Sequence, residues 1–264
     1  MRRLLLLGAA LLQFGLVAPV FAVPCAPQTL AQYILLGVTG CTVDGVEFRD
    51  FSEVEDALLS PRATRIASTA VTLTPFTDAS GLGFSLSSAT PLVDNAGGQF
   101  LELFFGFTAT PAPGRSFTSN TITLDSSAFA SGEGAITLIE DKCLNGSFTS
   151  PTLGCPPTST IQLTAFAVDG ISDLTETATF APASFFDVFI DLIVDGGPDF
   201  FTGQATLGPT LGEFRLTQVG AAVPEPASWM LLLSALLALG ALRWLPHSLT
   251  RADPSTLQLL RGGH

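Results

Sequence analysis

The middle of the chain alternates apolar and polar residues with a period of two. Val71-Thr72-Leu73-Thr74, Ile122-Thr123-Leu124, Ile136-Thr137-Leu138, Ile161-Gln162-Leu163-Thr164-Ala165-Phe166 and Phe214-Arg215-Leu216-Thr217 all read this way. Successive side chains of an extended chain point to opposite faces, so the pattern predicts strands with one buried and one wet face. Val188, Ile190, Leu192 and Val194 predict the buried face of a longer strand, whose other face carries Asp187, Asp191 and Asp195 with Phe189 and Ile193. Leu101 to Phe107 is apolar on both faces and predicts a central strand. Clusters of Gly, Pro, Asn and Asp at Pro91 to Gly98, Pro111 to Gly114 and Gly196-Gly197-Pro198 predict turns. Only Ser52 to Leu59 reads as a helix, because Ser52 and Glu55 have capping-box spacing and Pro61 ends the run. There is no fixed-period repeat. The pattern predicts an all-β domain from about Cys25 to Val219, built as an antiparallel β-sandwich or a jelly-roll-like fold.

The two ends read differently. Met1-Arg2-Arg3 is a short basic start, and Leu4 to Val17 is an apolar run too short to span a bilayer comfortably. Val20-Phe21-Ala22 then places small residues where a signal peptidase needs them, which predicts a helical signal peptide over 1–22 with cleavage after Ala22. Pro24 before Cys25 argues against a lipoprotein acceptor site. Near the other end, Val223-Pro224-Glu225-Pro226 leads directly into an apolar run closed by Arg243. The 18 residues from Ser228 to Leu245 are rich in Leu and Ala and just reach across a hydrocarbon core as a helix. Pro226 marks the helix start, and Trp229 and Trp244 lie at opposite ends, as interfacial aromatics do. Arg243, Arg251 and Arg261 follow the span, so the positive-inside rule leaves residues 246–264 in the cytoplasm and the domain outside.

Charge sharpens this division. Residues 23–222 hold 21 of the 23 Asp and Glu but only six of the 11 Lys and Arg, a net charge of −15. Such a surface repels phosphate backbones and argues against nucleic-acid binding. Solubility outside the cell is its plain reading. A calcium site is the sharper one, and Asp195 and Asp199, which bracket Gly196-Gly197-Pro198, are its candidates.

The Pro224-Glu225-Pro226 triplet, the single apolar span and the basic Arg243 resemble the PEP-CTERM sorting signal of exopolysaccharide-producing Gram-negative bacteria. The likeness covers 223–243, and the chain departs from the pattern in carrying Leu245 to His264 beyond one Arg. The resemblance implies recognition by an exosortase, a membrane-embedded protease that cleaves at the triplet. The span would then be a passing inner-membrane intermediate before release to the cell surface or matrix; if the tag is not cleaved, it remains a single-pass anchor. A second likeness joins Cys25, Tyr33-Ile34-Leu35-Leu36-Gly37, Gly40-Cys41, Phe48 and Phe51 to the opening of a group of PEP-CTERM proteins with no assigned activity.

Four cysteines, Cys25, Cys41, Cys143 and Cys155, follow the predicted cleavage site. An even count in an exported chain implies disulfides, and of the three connectivities the local pairs Cys25–Cys41 and Cys143–Cys155 close short loops around predicted turns. The spacings do not suit zinc.

Both histidines, His247 and His264, lie beyond the span, so the domain lacks the base for Ser-His-Asp or Cys-His hydrolysis. Lys142 is the sole lysine of the chain, beside a cysteine and two acids, and is the one candidate for Schiff-base chemistry. Paired carboxylates stay open for glycan hydrolysis, with Glu102, Glu133 and Glu140 as candidates. The partners for stacking sugars are poor: both Trp lie in the tag, Tyr33 is the lone tyrosine, and 19 of the 21 Phe belong to the domain, where core filling is their ordinary use. The pairs Phe185-Phe186 and Phe200-Phe201 are candidates for an exposed apolar patch. The expected role is therefore non-enzymatic: a structural or adhesive component of the cell surface or biofilm matrix, with exopolysaccharide and an exosortase as partners. The alternatives are a carbohydrate-binding or glycan-hydrolysing module and an ice or surface binder using Thr72, Thr74, Thr121 and Thr123.

Overall fold

The computed structural model describes residues 23–54, 62–95, 98–149, 154–198 and 203–220. The predicted signal peptide, the Pro224-Glu225-Pro226 triplet, the apolar span and the basic tail lie outside the described residues. Among the described residues no helix is long and apolar enough to cross a membrane.

Two antiparallel sheets form a β-sandwich. The smaller runs in the order β1 (Gln28–Thr29), β5 (Val71–Asp78), β6 (Gly81–Ser88), β17 (Thr210–Val219), β9 (Ser116–Leu124), β14 (Thr175–Ala183). The larger runs β13 (Ile171–Asp173), β12 (Thr160–Val168), β11 (Ala135–Leu144), β15 (Phe186–Asp195), β8 (Phe100–Thr110), β3 (Val46–Glu53), β2 (Cys41–Val43). A short β4 (Ala63–Arg65) lies parallel to β8. A third sheet of three strands joins β10 (Phe129–Ser131), β16 (Gln204–Leu207) and β7 (Leu92–Asn95).

The inner faces follow the alternation read from the sequence. Val188, Ile190, Leu192 and Val194 of β15 are buried, as are Leu103, Phe105 and Phe107 of β8 beside them. They meet Leu73, Phe84, Leu86, Ile122, Phe214 and Leu216 of the smaller sheet. Aromatic rings stitch the two layers: Phe48 to Phe84 at 4.8 Å, Phe107 to Phe214 at 5.1 Å and Phe117 to Phe186 at 4.6 Å between centroids. The first two are edge-to-face and the third is tilted, and such ring contacts add to the area term that dominates a Phe-rich core. The strand over Leu101 to Phe107 is central, with β15 on one side and β3 and β4 on the other.

Two local expectations are corrected. Ser52 and Glu53 do not start a helix; they end β3, opposite Gly106 and Phe105 of β8. The ladder to a central strand, which resumes at Ser52 after a bulge, outweighs a single capping bond, and the rest of that stretch, 55–61, lies outside the described residues. The Pro91 to Gly98 cluster is not all turn, because Leu92–Asn95 is β7 and pairs with β16. Pro91 stands just before the ladder, where its missing N–H costs nothing.

The helix is elsewhere. Residues Leu30–Leu36 form α1, opened by a capping box in which Thr29 Oγ1 accepts from Gln32 N at 3.3 Å and Gln32 Oε1 accepts from Thr29 N at 2.9 Å. Tyr33 turns inward, packs 4.9 Å from Phe51 and 5.4 Å from Phe84, and donates its hydroxyl to Ala26 O at 2.8 Å. Desolvation raises the Tyr33 hydroxyl well above its ordinary pKa, so it stays a donor.

Disulfides join Cys25 to Cys41 and Cys143 to Cys155, the two local pairs. The first closes the loop that carries α1. Gly40, just before Cys41, has φ 58°, and a Cβ there would meet Phe48 O at 2.3 Å. The second ties the end of β11 to the segment entering β12.

Candidate functional site

The three glutamates singled out from the sequence do not meet. Glu133 is exposed at the turn between β10 and β11. Glu102 is 1% exposed on the outer side of β8, in register with Ile193. Glu140 is fully buried on the inner side of β11, following Ile136 and Leu138. No pair among them flanks a common cleft.

The structure instead brings Glu102 together with Asp191 of β15. Burial pushes the Asp191 carboxyl up to about 7, and the charges of Glu102 and Asp141 and the hydrogen bond to Glu102 push the same way. A carboxyl that holds its proton near neutral pH is suited to general acid–base chemistry. Here the Glu102 half is enclosed by the fold. Sequence reasoning placed Asp191 on a strand face with Asp187 and Asp195, but its partner needed the register between β15 and β8.

A shallow concavity of about 160 Å³ lies farther along the same outer face, lined by Asp50, Ser52, Thr108, Phe148, Asp187 and Phe189 among others. Its carboxylates and rings are largely engaged with one another. Asp187 Oδ1 accepts from Thr108 Oγ1 at 2.6 Å and Oδ2 from Phe148 N at 3.1 Å. Phe189 packs against Phe148 at 5.3 Å and Phe104 at 5.8 Å. Of the two phenylalanine pairs, Phe186 is buried in the core against Phe117, and Phe200-Phe201 lie outside the described residues.

Asp195 Oδ1 accepts from Gly197 N at 2.8 Å, closing the turn it was expected to form, and Asp199 lies outside the described residues. Among the described residues no group of three or more His, Cys, Asp or Glu is arranged to hold a metal ion.

The threonines named as a surface row share the outer face of the smaller sheet. Thr74 is opposite Ser85, which is opposite Glu213, then Thr123, then Thr175. The next row runs through Arg215, Thr121 and Thr177, with the two threonine hydroxyls 2.8 Å apart. The hydroxyl array is interrupted. Arg215 grips Asp78 at 2.6 and 2.7 Å, reaches Glu213 at 3.3 Å and lies 4.6 Å over the Phe76 ring. The guanidinium holds the Asp78 carboxyl well below the usual carboxylate range.

The least expected cluster is inside. Glu140 and Lys142 are both 0% exposed, with Lys142 Nζ 3.2 Å from Glu140 Oε2. Asn120, 1% exposed on β9 of the facing sheet, donates Nδ2 to the same Oε2 at 2.5 Å. Burial drives Glu140 upward and Lys142 downward in pKa, each toward its neutral form. Among the described residues, Glu140 Oε1 and Asn120 Oδ1 have no hydrogen-bond partner, and Lys142 Nζ has no properly aligned one. The sequence showed Glu140 and Lys142 two apart on a strand. It held no signal for Asn120, which arrives from the other sheet.

The protein-family models contain no match to this chain, and no curated protein matches it.

Proposed function

We propose that the chain is an exported, non-enzymatic structural or adhesive component of the bacterial surface, delivered by its signal peptide and sorted by an exosortase through Pro224-Glu225-Pro226. The observation that carries the reading is where the reactive side chains go. Asp187, Asp78 and Glu140 hold strands, turns and sheets of the fold itself together. The two disulfides fit a protein that matures in an oxidising compartment. The residues shared with other PEP-CTERM chains have structural work: Cys25–Cys41 is a staple, Tyr33 packs on Phe51, and Phe48 packs on Phe84. The acidic surface repels polyanions, and the hydroxyl-rich outer face of the smaller sheet offers donors and acceptors to a hydrated polysaccharide.

The test is fractionation of cells with and without the exosortase, with mass analysis of the C-terminus. The expected mature protein is released to the surface or medium and ends near the Pro224-Glu225-Pro226 triplet, whereas exosortase-deficient cells retain the full tag in the inner membrane. A mature protein that still carries Trp229 to His264 in wild-type cells overturns the sorting reading.

A further inference from the structure

We infer that Lys142 and Asn120 form an intramolecular amide bond that joins the two sheets through the core, with Glu140 as the group that moves the proton. The inference stands independently of the export reading, since it rests on three side chains of the folded domain. The three groups meet at one carboxylate oxygen. The amine nitrogen and the amide nitrogen lie within 3.2 Å and 2.5 Å of one oxygen, Glu140 Oε2, so the nucleophile, the electrophilic amide and the acid–base group form a single cluster. All three are at least 99% buried, where water competes for neither the amide nor the amine. Because β11 and β9 belong to opposite sheets, the bond would cross the sandwich.

The protonation states suit the reaction. An ammonium is not a nucleophile, and lysines become nucleophilic when desolvation releases the proton. Burial favours neutral Lys142 and protonated Glu140, which amounts to moving one proton from amine to carboxyl within the pair. The lone pair of Nζ then attacks Cγ of Asn120. The tetrahedral intermediate collapses with cleavage of the Cγ–Nδ2 bond. A proton passes from Nζ through Glu140 to Nδ2, which leaves as ammonia. The Nζ–Cγ bond replaces the Cγ–Nδ2 bond, one ammonia is released, and no oxidant or co-reactant is consumed.

A plain buried ion pair is the competing account, and its energetics are poor. Desolvating two charges costs more than their attraction returns unless the remaining polar atoms are satisfied. Here, among the described residues, Glu140 Oε1 and Asn120 Oδ1 lack partners. The amide product removes the buried amine altogether and leaves a neutral link.

The experiment uses the full chain, purified and then denatured and reduced. Lys142 is the only lysine, so the number of ε-amines that react with an amine-specific label reads the bond directly. The expected result is no labelled ε-amine, together with a peptide pair joining Lys142 to Asn120 that is lighter by one ammonia, about 17 Da. Stoichiometric labelling of Lys142, with peptides of full mass, overturns the inference and leaves the ion pair. Asn120→Ala is expected to restore the label. Asn120→Asp is expected to give the same linked product by losing water. Glu140→Gln, checked for native disulfides and circular dichroism, is expected to leave Lys142 free; a linked product at the wild-type rate would remove Glu140 from the reaction. If Glu140→Gln does not fold, the wild-type label count and peptide mass still decide whether the bond exists.

Discussion

The carboxyl of Asp191 keeps its proton to about pH 7 in the fold, while in an unfolded chain it ionises near its ordinary value of 3.8. The native state therefore holds that proton more tightly. The stability this contributes is fully present below about pH 4 and is lost as pH rises through 7. Asp191→Asn keeps the shape and removes the titration, so it should raise stability by on the order of 2 kcal/mol at pH 8 and change little at pH 4. Urea denaturation of both proteins at the two pH values checks this; equal stability at pH 8 would show that the pair is solvated. The residue scale is also where the sequence is least legible. The alternation Ile136, Leu138, Glu140, Lys142 already puts two charged groups on a buried face. The identity of what faces them, Asn120 or Glu102 in the neighbouring case, depends on sheet packing and register, which no local pattern encodes.

Elements are more legible, and their errors have physical causes. The strands over Val71–Asp78, Ala135–Leu144, Thr160–Val168 and Phe186–Asp195 follow from period-two alternation, because each has one face in the core. The helix signature stands at two places, and only one of them folds as a helix. Thr29 and Gln32 have the capping-box spacing and use it, while Ser52 has the same spacing and is held in β3 by the ladder to β8. A capping motif is a bid for helix that tertiary pairing can overrule. The cap on α1 is testable: Thr29→Ala should cost about 1 kcal/mol, since it removes the acceptor for Gln32 N. Because Tyr33 fills the core from this helix, the loss should appear as a lower global melting temperature rather than as fraying alone.

At the scale of the whole molecule, two disulfides staple the domain. The loops closed by Cys25–Cys41 and Cys143–Cys155 span 16 and 12 residues. In the chain-entropy model, replacing the pair Cys143 and Cys155 with serines should cost about 3 kcal/mol, read as a shift in the denaturation midpoint without reductant. Both bridges were readable from the cysteine count and spacing, since each is local. The layering is readable as a class, but the order of strands is not: β17, the last strand among the described residues, lies between β6 and β9 rather than at an edge. That position has a mechanical consequence. A load applied to the C-terminal end of this domain runs along a strand hydrogen-bonded on both sides, so it must shear two ladders together instead of unzipping one. A pull on that end is therefore carried by two ladders at once instead of one.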